Sequence, residues 1–321
     1  PNWFAPEGVE PKDELTFEIP NWFDYVGAEH KAAREAVVLI DQTSFNKFEI
    51  GGPGALAFLD HLSANNIDKP VGSVTYTQLC NRRGTIEADI TIARVAEEKF
   101  LLVTGTAFGL HDSQWIKKHM PADGSVIFHD VTSALAVINV IGPNSRKLLE
   151  KISRGDISNE NFRFSKCKQI AVGHAPVTVL RVTFVGELGY ELYIPTEFAC
   201  HVYESLWDAG QDLGIKNAGY RVIKSLHFEK GYANWGSDLT PEYTPYDAGL
   251  GFCVALNKGD FIGREALAKI KAEGPKWRLC SFTIDADQPV MLRGSEPITY
   301  KGKVIGTTTG GGYGYTVGKT I

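Results

Sequence analysis

Cysteine is scarce and unpatterned in this chain. Five residues stand at 80, 167, 200, 253 and 280, odd in number and without a C-x-x-C pair. This argues against a disulfide framework or a cysteine zinc site and fits a reducing compartment. The eight histidines form no H-E-x-x-H motif, so no site of that metal-binding type is encoded. Positive charge is also short: 33 Lys and Arg against 38 Asp and Glu leave −5. A broad nucleic-acid or anionic-membrane surface needs the opposite balance, although a small anion needs only one local cation. No apolar run approaches the ~18 residues of a membrane span, and no secretory leader is visible. No G-x-G-x-x-G follows an N-terminal strand, and G-x-S-x-G is absent, which removes a dinucleotide site and a nucleophile elbow. GYGYTVGKT (312–320) fails as a phosphate loop, because five or three residues separate its glycines from Gly-Lys-Thr where four are needed.

What is present is ordinary globular material: 321 residues, 43% apolar and 22% charged, enough for two or three domains. The chain begins PNWFAPEGVEP and stops at GYTVGKTI; both ends read as cuts in a longer polypeptide. A Pro- and aromatic-rich lead-in precedes HKAAREAVVLID (30–41), whose spacing predicts a helix. The strand NKFEI then runs into GGPGALAFLDHL, and the same device returns as VINVIGPNSRKLLEKI. In each, glycine permits the bend and proline opens a helix. This weak repeat predicts two related α+β lobes. Further strands are expected at 73–80, 85–94, 99–104, 168–172, 176–184 and 190–194, with helices around 107–120, 197–213 and 218–229. After about 275, short strands (WRLCSFTI, PITY, KVIGTTT) suggest a barrel or meander.

In TIEADITI (85–92), Ile86, Ala88, Ile90 and Ile92 share one face of a strand, and Glu87, Asp89 and Thr91 the other. Periodicity alone reads Asp89 as solvated. NRRG (81–84) makes a turn, so YTQLC and TIEADITI form a hairpin that brings Tyr76 near Asp89. In FVGELGYELYIP (184–195), Glu187 and Glu191 have the same parity and are expected on one face. Gly186 and Gly189 hint at a close backbone approach.

These stretches, with SLHFEKGYANWGSDLTPEYTPYDAGLGF (225–252), FIGREAL (261–267) and GYGYTVGK, resemble the glycine-cleavage T-protein (aminomethyltransferase) family. They are most similar to the folate domain of dimethylglycine oxidase, dimethylglycine dehydrogenase and sarcosine dehydrogenase. The resemblance spans about residues 35 to 320. It implies an α+β, three-lobed fold around a tetrahydrofolate site: lead-in and helix at 1–43, lobes at 44–140 and 141–256, and a C-terminal β-barrel, cut short, from 257 to 321. It implies Asp89 as the catalytic carboxylate and Tyr76, Phe184, Glu191 and His227 as folate-binding, with no metal. The implied reaction is capture, on tetrahydrofolate, of the methylene released by oxidative demethylation of dimethylglycine, sarcosine or a similar N-methyl amine. FAD is expected only in an upstream domain outside this chain. The implied partners are folate, a methylene iminium donor and that FAD domain, without nucleic acid or membrane, in the cytoplasm or the mitochondrial matrix. Two positions depart from the pattern: Phe184 replaces a usual Tyr and His227 a common Arg. They leave open a non-catalytic folate-binding or structural module. Trp235, Asp238 and Tyr243 could line the pocket or only pack a loop.

Overall fold

The computed structural model describes residues 2–14 and 16–321. Helix α1 (Phe23–Glu35) is followed at once by strand β1 (Val37–Asp41), where the sequence predicts continued helix. The run Val37-Val38-Leu39-Ile40 is buried throughout. Val37 and Leu39 enter one core, Val38 and Ile40 another. A strand covered on both faces reads as a continuous apolar run, which helical spacing cannot distinguish.

The first lobe continues through β2 (Asn46–Gly51), α2 (Ala55–Leu62), β3 (Val74–Cys80), β4 (Ile86–Ala96), β5 (Lys99–Thr104), α3 (Gly109–His119) and β6 (Ile127–Asp130). The second holds β7 (Leu135–Ile141), α4 (Ser145–Ile152), β8 (Ser153–Arg154), β9 (Lys166–Val172), β10 (Ala175–Arg181), β11 (Gly189–Pro195), α5 (Ala199–Ala209), β12 (Ile215–Asn217) and α6 (Tyr220–Glu229). Helix α7 (Arg264–Glu273) and the hairpins β13 (Pro297–Tyr300)–β14 (Lys303–Thr307) and β15 (Tyr313–Gly314)–β16 (Lys319–Thr320) complete the chain. The fold class is α+β, as the pattern predicts. WRLCSFTI forms no named strand, and the two hairpins stay separate, two-stranded and unclosed.

The strand–turn–helix device occurs twice in the same form. Gly52 and Gly142 have φ of 106° and 130°, and a side-chain carbon on either would strike the carbonyl oxygen of Ser125 or Ala36. Only glycine suits that geometry. Each lobe has one sheet. The order is β3-β4-β5-β2-β6 in the first and β12-β1-β7-β11-β10-β9-β8 in the second. All pairings are antiparallel except β1 with β12.

One face of each sheet is covered by its own helices. Ala88, Ile90 and Ile92 of β4 pack with Phe58, Leu59 and Ile116 of α2 and α3. Tyr190, Leu192 and Ile194 of β11 pack with Leu148, Leu149 and Val202 of α4 and α5. The other faces meet through a mixed cluster that includes Val74, Ala93 and Leu101 from the first sheet and Val137, Leu180 and Tyr193 from the second. Sheet-on-sheet packing thus joins the lobes.

A buried ionic cluster ties the C-terminal segment to this body. Arg34 of α1 donates to Glu187 at 2.9 Å and to Glu229 of α6 at 3.1 Å. Glu229 also accepts from the Thr316 and Val317 amides at 2.8 and 3.3 Å. The Tyr315 hydroxyl reaches the Phe23 carbonyl at 2.7 Å.

Candidate active site

Because side chains alternate along a strand, Asp89 and Thr91 stand on the same face of β4 as Ala93. Glu191 likewise shares a face of β11 with Tyr193. Ala93 and Tyr193 both belong to the apolar seam between the sheets. The seam is therefore oily along part of its length and acidic where it opens. Asp89 and Glu191 line one cavity of about 2150 Å³ with Tyr76, Phe184, Trp235 and Tyr243. The polar half of the TIEADITI alternation faces this hollow, which periodicity cannot tell from bulk water.

The β3–β4 ladder sets the surroundings of Asp89. Tyr76 pairs with Thr91 and Gln78 with Asp89, so Tyr76 and Gln78 face the same way as the acid. Gln78, fully buried, donates from Nε2 to Asp89 Oδ1 at 2.8 Å. Burial pushes the Asp89 carboxyl up to about 6; hydrogen bonds from Gln78 and Tyr76 oppose the rise, and the nearby Asp112 charge adds to it. The Tyr76 phenol is itself held well above its usual range by burial and the Asp89 charge. Across the cavity, Tyr193 donates to Glu191 Oε2 at 2.7 Å, yet burial carries Glu191 up to about 7. Both acids thus favour their protonated forms in the folded chain and become costlier as they ionise. Stability should fall as pH rises from the ordinary 3.8 toward about 6 for Asp89, and from 4.5 toward about 7 for Glu191,. Thermal unfolding of the ligand-free chain is expected at higher temperature at pH 5 than at pH 7.5. Glu191→Gln should flatten that dependence; an equally steep profile in the variant would remove Glu191 as its source.

His227 lies outside the cavity wall. It is 3% exposed, stacks on Phe184 with ring centroids 5.0 Å apart, and donates from Nδ1 to the Tyr232 carbonyl at 2.7 Å. Burial lowers its pKa, so it is a neutral support behind Phe184 and no cation for a ligand. Positive groups on the wall come instead from Lys69, Lys230 and Arg278. Glu187 does not share the face of Glu191: residues 182–188 leave the strand, Gly186 takes φ of 70°, and Glu187 turns to Arg34. Trp235, Asp238 and Tyr243 all line the cavity.

Gln78, Asp112 and Tyr193 join the site without any motif that marks them in the sequence. Gln78 carries no motif, and Asp112 comes from α3, where Thr104 holds it at 2.6 Å. Tyr193 is signalled only by sharing the parity of Glu191. Chemically, the site offers aromatic side chains along its wall, one acid able to accept adjacent N–H donors, and a second acid poised to take or hold a proton near neutrality,. Among the described residues, no cluster of three or more His, Cys, Asp or Glu could hold a metal, and no helix is long and apolar enough to cross a membrane.

Comparison with known proteins locates this architecture. Residues 1–258 match the model of the GCVT N-terminal domain, and 278–321 that of the glycine cleavage T-protein C-terminal barrel domain. The chain is 40% identical over 321 residues to 4-methylaminobutanoate oxidase (formaldehyde-forming) of Paenarthrobacter nicotinovorans, covering all of this chain and 39% of that protein. It is 38% identical to mitochondrial dimethylglycine dehydrogenase of Homo sapiens, covering all of this chain and 37% of the relative. The chain thus spans less than two-fifths of the length of these two relatives. The crystal structure of glycine cleavage system aminomethyltransferase T from Bartonella henselae superposes with a TM-score of 0.81 at 23% identity, over 96% of this chain and 84% of that one. This last likeness is one of fold.

Proposed function

The chain belongs to the glycine cleavage T-protein family, and on that footing we propose that it loads a one-carbon unit onto tetrahydrofolate. The observation that carries this reading is the confrontation of Asp89 and Glu191 across one aromatic-lined cavity. Glu191, to which only Tyr193 donates among the described residues, accepts the adjacent N–H groups of the pterin edge. Carboxylates do this well when two donors lie in one plane. Tyr76 and Phe184 pack on the ring system, and His227 holds Phe184 from behind. Asp89 is assigned to the reacting end. There it stabilises positive charge as a folate nitrogen attacks the methylene carbon of an iminium, and it takes the proton that nitrogen gives up. The amine leaves with that proton as its bond to the methylene carbon breaks, and the second folate nitrogen attacks the same carbon and loses its own proton, closing 5,10-methylenetetrahydrofolate.

The donor class is an N-methyl amine such as dimethylglycine or sarcosine, oxidised by an FAD domain of the parent polypeptide. The oxidase and dehydrogenase activities for which the relatives are named support this. The same reading divides the chain into lead-in, two lobes and barrel segment at about residues 43, 140 and 256. It places the chain in the cytoplasm or the mitochondrial matrix.

Calorimetric titration with tetrahydrofolate, followed by formaldehyde as carbon source, tests the proposal. Saturable binding and product formation faster than the spontaneous condensation are expected. Binding without acceleration would reduce the chain to a folate-binding module, and no binding at millimolar ligand would remove folate altogether. In the same assay Glu191→Gln should weaken binding ~10–100-fold, the range for lost hydrogen bonds to a charged group. Unchanged affinity would release Glu191 from the pterin.

A further inference from the structure

Gln78 is a polar side chain that the proposed reaction does not yet use. It is fully buried on β3 and sits directly opposite Asp89 in the ladder. Its Nε2 donates to Asp89, while its Oε1 is buried and meets no donor among the described residues. An unpaired buried acceptor is costly, and a buried leucine or methionine here would avoid that cost. The amide is therefore anchored at one end only. The terminal torsion of a glutamine is soft and roughly two-fold, so turning it over gives up the Asp89 bond and rearranges the contacts to Tyr76 and Cys253.

We propose that Gln78 is the positioning residue for Asp89, presenting its N–H to the ionised carboxylate and, after a half-turn of the amide, its oxygen to the protonated acid. This deepens the methylene-transfer reading and rests on it for its purpose. An ionised carboxylate only accepts hydrogen bonds, and a protonated one gains a donor. A one-faced partner such as lysine would favour one state alone, whereas an amide with a free end serves both. Asp89 can then take up the proton released by the folate nitrogen and pass it on without leaving its rotamer. The bond made is O–H on Asp89, and the bond broken is the N–H of the attacking nitrogen.

Other groups bear on the same carboxylate. Tyr76 faces it from β3, Asp112 acts from α3, and Cys253 lies close in the turn 251–253, with Lys69 beside that thiol. None of these groups pairs with the Gln78 oxygen.

The test uses the whole chain. In the ligand-free wild type, the Gln78 side-chain amide nitrogen resonance should move with the same midpoint as the Asp89 carboxyl carbon. In Gln78→Met the Asp89 midpoint should rise by about one pH unit, because the charge-assisted bond lost by the ionised form is stronger than the neutral bond lost by the protonated form. The pH–rate profile for transfer should shift upward with it, and tetrahydrofolate affinity should stay the same. An Asp89 midpoint indifferent to Gln78→Met, or an amide resonance that ignores the Asp89 titration, overturns the proposal. Should Gln78→Met fail to fold, the wild-type resonances still decide it. If the wild type transfers no carbon but the two resonances titrate together, the positioning stands and the catalytic reading falls.

Discussion

Asp89→Asn is expected to slow methylene transfer by ~10²–10⁴-fold, the usual contribution of a positioned acid–base group, with tetrahydrofolate affinity unchanged. The substitution keeps shape and hydrogen-bonding capacity opposite Gln78 but removes both the negative charge and the site for a proton. The separation of effects follows from geometry. Asp89 and Glu191 stand on different sheets and line the cavity from opposite lobes, so altering one leaves the other's contacts in place. Single-turnover rates with formaldehyde, set beside calorimetric binding, make the measurement. A variant that transfers at the wild-type rate would take Asp89 out of the chemistry. A variant that loses binding and rate together would make it a ligand anchor instead.

The second large effect concerns stability. Arg34→Met should cost ~3–5 kcal/mol, as for removal of one partner from a buried ion pair. Arg34 is 10% exposed and Glu229 only 4%, and losing the guanidinium leaves Glu229 and Glu187 without their cation. The Coulombic loss is not softened by water at such depth. The Lys31–Glu35 pair on the same helix is 71% and 65% exposed and belongs to the class of surface pairs worth ~0–1 kcal/mol. Lys31→Ala should therefore leave denaturant unfolding nearly unmoved, whereas Arg34→Met shifts its midpoint strongly. Adding Glu229→Gln to Arg34→Met should recover part of the loss, because it removes one of the stranded charges. Equal midpoints for Lys31→Ala and Arg34→Met would show that the cluster contributes no more than a surface pair.

Local pattern carried a good part of the fold. Alternation in TIEADITI, a turn at NRRG and the two Gly-Pro bends each depend on neighbours in sequence, and each is present as predicted. What failed depends on distant chain. Val37–Asp41 is a strand because two separate cores cover it. Glu187 turns away because Arg34, more than 150 residues earlier, draws it out of the strand's parity. His227 lies behind Phe184 because α6 turns that face inward, which its helical spacing alone does not fix. Asp89 shows the limit most clearly: its residue pattern is identical whether the polar face meets solvent or a second sheet. Only the seam of Val74, Ala93, Val137 and Tyr193 decides between them.

The same seam has a consequence for how this family can diversify. Both acids are rooted in hydrogen-bonded ladders, Asp89 of β4 opposite Gln78 of β3 and Glu191 between β7 and β10. Much of the rest of the wall, from Ala233 to Asp238 and from Trp277 to Ser281, lies in irregular chain. Irregular chain tolerates substitution and insertion far better than a paired strand. New donors could thus be accommodated by rewriting loops alone, leaving the paired acids where they are.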